Sequence, residues 1–493
     1  MPHRSEVRPF QPTETPSVRR SFRAPRCGIL SDDTHVPHVL ASRAVACRDR
    51  SWSPHTSMNT TSVAASAVRK VFRRLVPFSM LLMLVSLLDR TNISFGSLQM
   101  NQDLGLTPAA YGVAASILFL GYCPFEIPSN LILVRVGARR WLARIMISWG
   151  IVVGGMAFVS GTRSLYLARF LLGAAEAGLL PGLVFYLSTW VPAHKRGLAY
   201  AALMSTTAIG NIIGGPIAIG LMHLGGPGGL HGWQMMFLVE GIATVLLGFS
   251  VLRYLPDAYP DARWLDASEQ SALSHAYASD LALKQSRGVT SFRGGFSDRR
   301  VLLVTAVNFF LICCNFGTVY WLPQIIKSLG RLSNDAVGLL ASIPFALGGL
   351  AMLLWGRHSD QTADRKWHLF TGAAVAAAGY GWAAASSQPA STFVGLCVGT
   401  VGIWSTFGVF WAYAGDLLGG TAAAGGLAFM NSLSTLGGLV SPALIGIVRE
   451  RSSGFGASLA LVAGFAALGA LLALLLEPVR RADLAVDKPR IDG

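Results

Sequence analysis

The sequence predicts an all-α polytopic membrane protein of twelve transmembrane helices in two six-helix bundles. Three observations lead there. Hydrophobic residues fill 52% of the 493 positions and charged residues only 13%, about half the ~25% charge of a soluble chain. Apolar runs of roughly 20 residues, the length a bilayer demands, recur along the chain. The 54 glycines suit helices that approach each other closely in lipid.

Residues 1–65 stand apart. They are rich in Arg, Ser, Pro and His, carry no sustained apolar period, and read as a disordered extension. Glu6, Glu14, Asp32, Asp33 and Asp49 argue against an acid-poor transit peptide. Met58, upstream of the basic cluster Arg69, Lys70, Arg73 and Arg74, is the expected translation start. Spans are then predicted at about 72–98, 110–134, 143–161, 165–190, 196–222, 233–255, 301–326, 336–355, 368–386, 391–415, 422–447 and 456–476. The polar stretch 256–300 separates an N-terminal bundle (66–255) from a C-terminal one (301–476), and 477–493 forms a tail.

The net charge of +15, from 40 Lys and Arg against 25 Asp and Glu, reflects orientation rather than nucleic acid. Arg135, Arg139, Arg140 and Arg144 follow span two, Lys195 and Arg196 follow span four, and Arg357, Arg365 and Lys366 follow span eight. The central loop and tail are basic as well. The opposite loops are poorer. The positive-inside rule therefore places both termini and the central loop in the cytoplasm, in a plasma (inner) membrane. Gly215-Pro216 through Gly220 in span five and Ser441-Pro442 through Gly446 in span eleven repeat a Pro-xxx-Gly device at equivalent places. Two matched halves suit a carrier with its site between them.

The chemistry concentrates in a few intramembrane charges, which are costly in lipid and default to function. Asp89 and Arg90 lie in the first span, and Arg90 is either the partner of Asp89 or a neighbour on the same cavity. Arg169 and Glu176 lie seven positions apart in span four, hence on one helical face about 10 Å apart. The bland alternative for each is a static ion pair. Gly137-Ala138-Arg139-Arg140 and Gly356-Arg357-His358-Ser359-Asp360 are matched turns at helix ends, able to latch a gate. Asn431 is a polar amide in span eleven. Tyr122, Tyr320, Trp321, Trp404, Phe407 and Trp411 are cavity or packing aromatics. Glu126 and Glu240 read as structural. The six cysteines form no CxxC or Cys/His spacing, so neither a disulfide framework nor a metal site is implied. No HExxH, P-loop or Gly-x-Ser-x-Gly elbow is present, so no catalytic residue and no cofactor is expected; energy would come from an ion gradient, which the transporter reading takes as protons.

Leu88-Asp89-Arg90-Thr91-Asn92-Ile93, Phe125 to Asn130, Val136 to Trp141, Arg169 to Gly178 and Trp355 to Asp360 together resemble the major facilitator superfamily, and within it the anion:cation symporter branch. They look most like its bacterial tartrate, phthalate and hydroxyphenylacetate permease-like members. The resemblance covers about Val71 to Leu476. It implies alternating access and proton-coupled uptake of a small organic anion: a tartrate-like hydroxy-acid, a sugar acid or an aromatic carboxylate. It implies Arg90, Tyr122 and Asn431 as substrate residues, with Trp404 beside them, and Asp89, Glu176 and Arg169 in proton coupling. Arg139, Arg140, Arg357 and Asp360 would form the gate. Two departures bear on that gate: Val134 stands where the superfamily usually has an acid, and Gln361 where it has Arg. The expected partners are the anion, protons and the bilayer, with no nucleic acid, in a monomer. Rival readings are a proton-driven efflux antiporter, supported by Gly210-xxx-Gly214-Gly215-Pro216, and a transport-inactive membrane sensor.

Overall fold

The computed structural model describes residues 56–286, 298–362, 364–417 and 422–477. Most of the expected disordered extension, part of the central loop and most of the tail lie outside the described residues. Among the described residues every regular element is a helix: α1 (Thr56–Asp103), α2 (Pro108–Val136), α3 (Ala138–Gly155), α4 (Thr162–Glu176), α5 (Leu179–Trp190), α6 (Ala193–Met222), α7 (Gly232–Tyr254), α8 (Ala267–Ser286), α9 (Arg299–Ser328), α10 (Asn334–Thr362), α11 (Lys366–Ala385), α12 (Pro389–Leu417), α13 (Ala422–Thr435), α14 (Gly437–Arg451) and α15 (Gly456–Leu474). Short 3₁₀ turns sit between some of them. Eleven membrane passes are long and apolar enough by themselves. The twelfth is α11, whose Ala- and Gly-rich sequence packs between α12 and α15.

Local chemistry sets the boundaries. Pro108 opens α2 behind Thr107, whose hydroxyl accepts from the Ala110 N–H at 3.2 Å. Asp298 caps α9 in the same way, accepting from the Arg300 N–H at 2.8 Å. Two predicted single spans are broken helices. Span four divides into α4 and α5 at Ala177-Gly178, where Gly178 has φ 92°. A Cβ at Gly178 would strike the Ser129 hydroxyl as well as strain the backbone. The break makes Glu176 the last residue of α4. Span eleven divides into α13 and α14 at Leu436.

Within each half the helices meet through small residues. Gly121 of α2 and Gly173 of α4 lie against each other's backbone, as do Gly150 and Gly154 of α3 against Gly241 of α7. Gly379 of α11 faces Gly399 of α12. Such contacts replace the hydrophobic effect, which lipid cannot supply between helices.

The two halves touch on the side away from the termini. Ala109 N–H donates to Glu450 at 2.9 Å, Tyr111 hydroxyl to the Tyr320 carbonyl at 2.7 Å, and Gln324 amide to Ser97 at 2.9 Å. Ser342 hydroxyl donates to the Ile212 carbonyl at 2.5 Å and the Ala443 N–H to Ser116 at 3.1 Å. His223 and Asp335 approach to 3.2 Å on that surface. These hydrogen bonds and this ion pair lie in one layer. On the terminal side the described part of the central loop folds as α8 against the first half: Lys70 Nζ lies 2.6 Å from Glu269, Ser66 hydroxyl donates to the same carboxylate at 2.8 Å, and Arg196 meets Asp280 at 2.9 Å.

Candidate functional site

Asp89 and Arg90 are consecutive on α1, so their side chains leave the helix about 100° apart and meet different neighbours. Arg90 turns toward α4 and α2. Its Nε donates to Glu176 Oε1 at 2.8 Å, and its guanidinium lies 4.9 Å from the Tyr122 ring centroid. The Ser86 hydroxyl, one turn earlier on α1, donates to the same Glu176 oxygen at 2.5 Å. Tyr122 reaches Glu126 Oε1 at 3.4 Å. Glu176 is buried while the Arg90 side chain keeps 22% of its surface exposed. One edge of this guanidinium is held by a carboxylate, and part of it stays open.

Asp89 turns into the first half instead. It is buried; Thr244 of α7 donates to its Oδ2 at 3.3 Å, and Trp149 of α3 packs beside it. Of the two alternatives, Arg90 is therefore not the ion partner of Asp89, as the angle between adjacent helical positions requires. Arg169 likewise makes no ion pair with Glu176, although the two share a helical face. Its Nε donates to the Ala114 carbonyl at 3.1 Å and its second arm to that of Ala115 at 3.5 Å. Tyr111 and the second half's Tyr320 lie beside it. Tyr320 also neighbours Arg90 and Glu176, so the second half contributes to the charged cluster through an aromatic hydroxyl.

Asn431 and Trp404 lie on α13 and α12. Neither makes a hydrogen bond, ion pair or ring contact with Arg90 or Tyr122 among the described residues. Trp404 is buried against Phe345 and Phe407, with ring centroids 5.6 and 6.1 Å away. Asn431 is half-buried, and its carbonyl accepts from the Thr435 hydroxyl at 2.7 Å.

The four gate residues separate. Asp360 pairs with Arg365 at 2.5 Å, not with Arg357, which is exposed. Arg365 also reaches Asp416 at 3.5 Å. Between α2 and α3, Gly137 turns with φ 97°, and the Arg139 N–H donates to Asp257 at 2.9 Å. An acid from beyond α7 thus meets the turn that lacks one at Val134. Arg140 is exposed.

Sequence reasoning missed Ser86, Asn92 and Thr244. The spacing held a signal for two of them: Ser86 lies four positions before Arg90, and Asn92 three after Asp89. Asn92 donates to Glu240, so Glu240 is held by an amide and not by a cation.

The sequence pattern of the Major Facilitator Superfamily matches residues 79–442. The chain belongs to this superfamily. It is accordingly a multi-pass membrane transporter and not an enzyme. The "Putative tartrate transporter" of Agrobacterium vitis is 42% identical over 419 residues, covering 85% of this chain and 92% of its own. The "Quinolone resistance transporter" of Acinetobacter baumannii is 35% identical over 430 residues, covering 86% and 98%. In fold the chain is similar to a bacterial homologue of the human lysosomal transporter Spinster, solved in an inward-facing, occupied conformation. The TM-score there is 0.70 at 14% identity, over 83% of this chain and 97% of that one.

Proposed function

We propose that the chain takes up a small organic anion together with protons, by alternating access, as a monomer in the plasma membrane with both termini cytoplasmic. The observation that carries this reading is Arg90: a partly exposed guanidinium whose Nε is bonded to the buried Glu176 carboxylate at 2.8 Å. A substrate carboxylate of hydroxy-acid, sugar-acid or aromatic type competes for that guanidinium, which offers it paired charge-assisted donors. Protonation of Glu176 weakens its hold and frees Arg90, so anion and proton bind together. Tyr122, Trp404 and Asn431 order the rest of the anion, and Asp89 is a second proton site. No cofactor enters this scheme; the proton gradient supplies the work. With termini cytoplasmic, the layer of contacts between the halves closes the outer side and the described state opens inward. Arg139, Arg140, Arg357 and Asp360 then lie at the mouth that opens.

The relative named for tartrate transport supports the substrate class. The one named for quinolone resistance favours a second reading, efflux by antiport, in which protons and cargo move in opposite directions. Proteoliposomes containing the purified chain separate the two. Under an inward proton gradient, radiolabelled tartrate is expected to accumulate above its outside concentration, and Asp89→Asn is expected to abolish that accumulation. Accumulation by Asp89→Asn at the wild-type level overturns proton coupling through this residue. Gradient-driven extrusion from preloaded vesicles identifies the antiporter.

A further inference from the structure

Glu240 reads from the sequence as a structural acid, but its surroundings do not supply what a structural acid needs. Glu240 and Thr244 lie one turn apart on α7 and meet Asn92 and Asp89, three positions apart on α1. Asn92 and Glu240 thus meet at one level and Asp89 and Thr244 at the next, which sets the carboxyl groups of Asp89 and Glu240 about one helical turn apart across the α1–α7 contact, near enough for charge on one to act on the other. Both are buried, Asp89 at 3% exposure and Glu240 at 8%. Each has one oxygen held by a neutral donor: Thr244 hydroxyl on Asp89 Oδ2, Asn92 amide on Glu240 Oε2. Each has its other oxygen, Oδ1 and Oε1, buried without a hydrogen-bond partner among the described residues.

The charged and titratable groups around the pair offer no neutralising cation. On α1, Arg90 is bonded to Glu176. On α4, Glu176 is itself an acid close enough to repel Asp89. On α3, Trp149 is neutral. No Lys, Arg or His lies within ion-pair distance of Asp89 or Glu240 among the described residues. Two buried carboxylates about one turn apart, with no cation within ion-pair distance of either among the described residues, do not both ionise.

We infer that Asp89 and Glu240 form one two-carboxyl proton site, which holds one proton between the two acids. This deepens the proton-coupled reading and rests on it. The proton's identity as the coupling ion comes from that reading, whereas the shared site comes from the α1–α7 geometry. Losing the shared proton leaves two carboxylates opposed, so each acid strengthens the other's hold on it. The proton enters from the side on which the pair gains water and leaves as hydronium on the other. Thr244 and Asn92 stabilise the one charge that remains while the proton is bound.

The test needs no substrate. The carbonyl stretch of a protonated carboxyl is followed by infrared spectroscopy against pH in the purified full chain, in nanodiscs, for wild type, Asp89→Asn and Glu240→Gln. Each substitution removes the opposing charge, so the remaining acid is expected to release its proton at a pH at least about one unit lower than the wild-type pair. Should Glu240→Gln fail to fold, Glu240→Asp keeps the pair at a longer separation, and its midpoint is expected to fall by a smaller amount. A midpoint unchanged in every folded variant overturns the shared site. Failure of tartrate uptake in proteoliposomes, with these shifts intact, would instead overturn the transport reading alone.

Discussion

At Gly112 the backbones of the two halves come into close contact. A Cβ built there would strike the Pro442 carbonyl oxygen and lie 3.1 Å from Gly446 Cα; a Cβ at Gly446 would strike the Pro108 carbonyl in return. All of these neighbours are backbone and cannot turn aside. Gly112→Ala therefore forces α2 and α14 apart and strains the Ala109–Glu450 and Ala443–Ser116 hydrogen bonds in the same layer. Overpacking of this kind costs about 1–3 kcal/mol. Only the state in which α2 touches α14 bears that cost, so the equilibrium moves toward the opposite state by roughly 5- to 150-fold. Spin labels at Leu224 and Arg331, on the exposed rim of the two halves, read the change as a distance distribution. The wild type is expected to show mainly a short distance, and Gly112→Ala a dominant longer one. An unchanged short distribution in a folded Gly112→Ala protein would refute the argument that this contact holds the side shut.

Arg90→Lys keeps the charge but removes the Nε donor on Glu176 and the planar group over Tyr122. Tartrate binding measured by calorimetry is expected to weaken at least about tenfold. Arg90→Ala leaves Glu176 buried without its cation, and the melting temperature in detergent is expected to fall. Burial alone would raise the Glu269 carboxyl, yet the hydrogen bonds from Lys70 and Ser66 hold it below its ordinary value. Its contribution to docking α8 is therefore full at neutral pH and disappears as pH falls through that lowered value. Amide hydrogen exchange over residues 267–280 is expected to speed up in that acid range for wild type. In Lys70→Met it is expected to be fast already at neutral pH. Tyr320→Phe removes the second half's hydroxyl from beside Arg90 and Arg169 and is expected to lower the rate of tartrate uptake while leaving the fold's far-UV circular dichroism unchanged.

The helical passes were legible because length and apolarity alone specify a membrane helix. The breaks within spans four and eleven were not, because they depend on what lies across the fold. Gly178 is one glycine among many until Ser129 is known to face it. The charges illustrate the same limit. That Asp89 and Arg90 are adjacent is a fact of sequence; that they serve different neighbours follows from helix geometry and could have been worked out beforehand. That Arg169 ignores Glu176 could not. Its partners are carbonyls of α2, and backbone carbonyls leave no trace in a residue pattern. The acid supplied by Asp257 to the α2–α3 turn comes from 118 positions away, beyond the reach of any local motif.

The two halves carry different chemistry. The buried acids Asp89, Glu176 and Glu240 and the buried guanidinium of Arg169 belong to the first half, and the buried polar residues of the described second half are hydroxyls, the Asn308 amide and the His368 imidazole. A change of protonation thus acts inside a single bundle. The second half meets that bundle mostly through backbone and neutral groups such as Tyr320, Gln324 and Ala443, with Glu450 and Asp335 as charged exceptions. Neutral contacts of this kind lose little when they part, and water can replace them. On the proposed reading, protonating Asp89 or Glu240 leaves the His223–Asp335 pair between the halves untouched. It removes the charge that keeps one bundle from closing over an apolar, dehydrated interface. Such a carrier would respond to Gly112→Ala in its conformational equilibrium and to Asp89→Asn in its coupling, with little cross-talk between the two. A double variant whose effects are strictly additive in distance distribution and in proton titration is the outcome this separation requires.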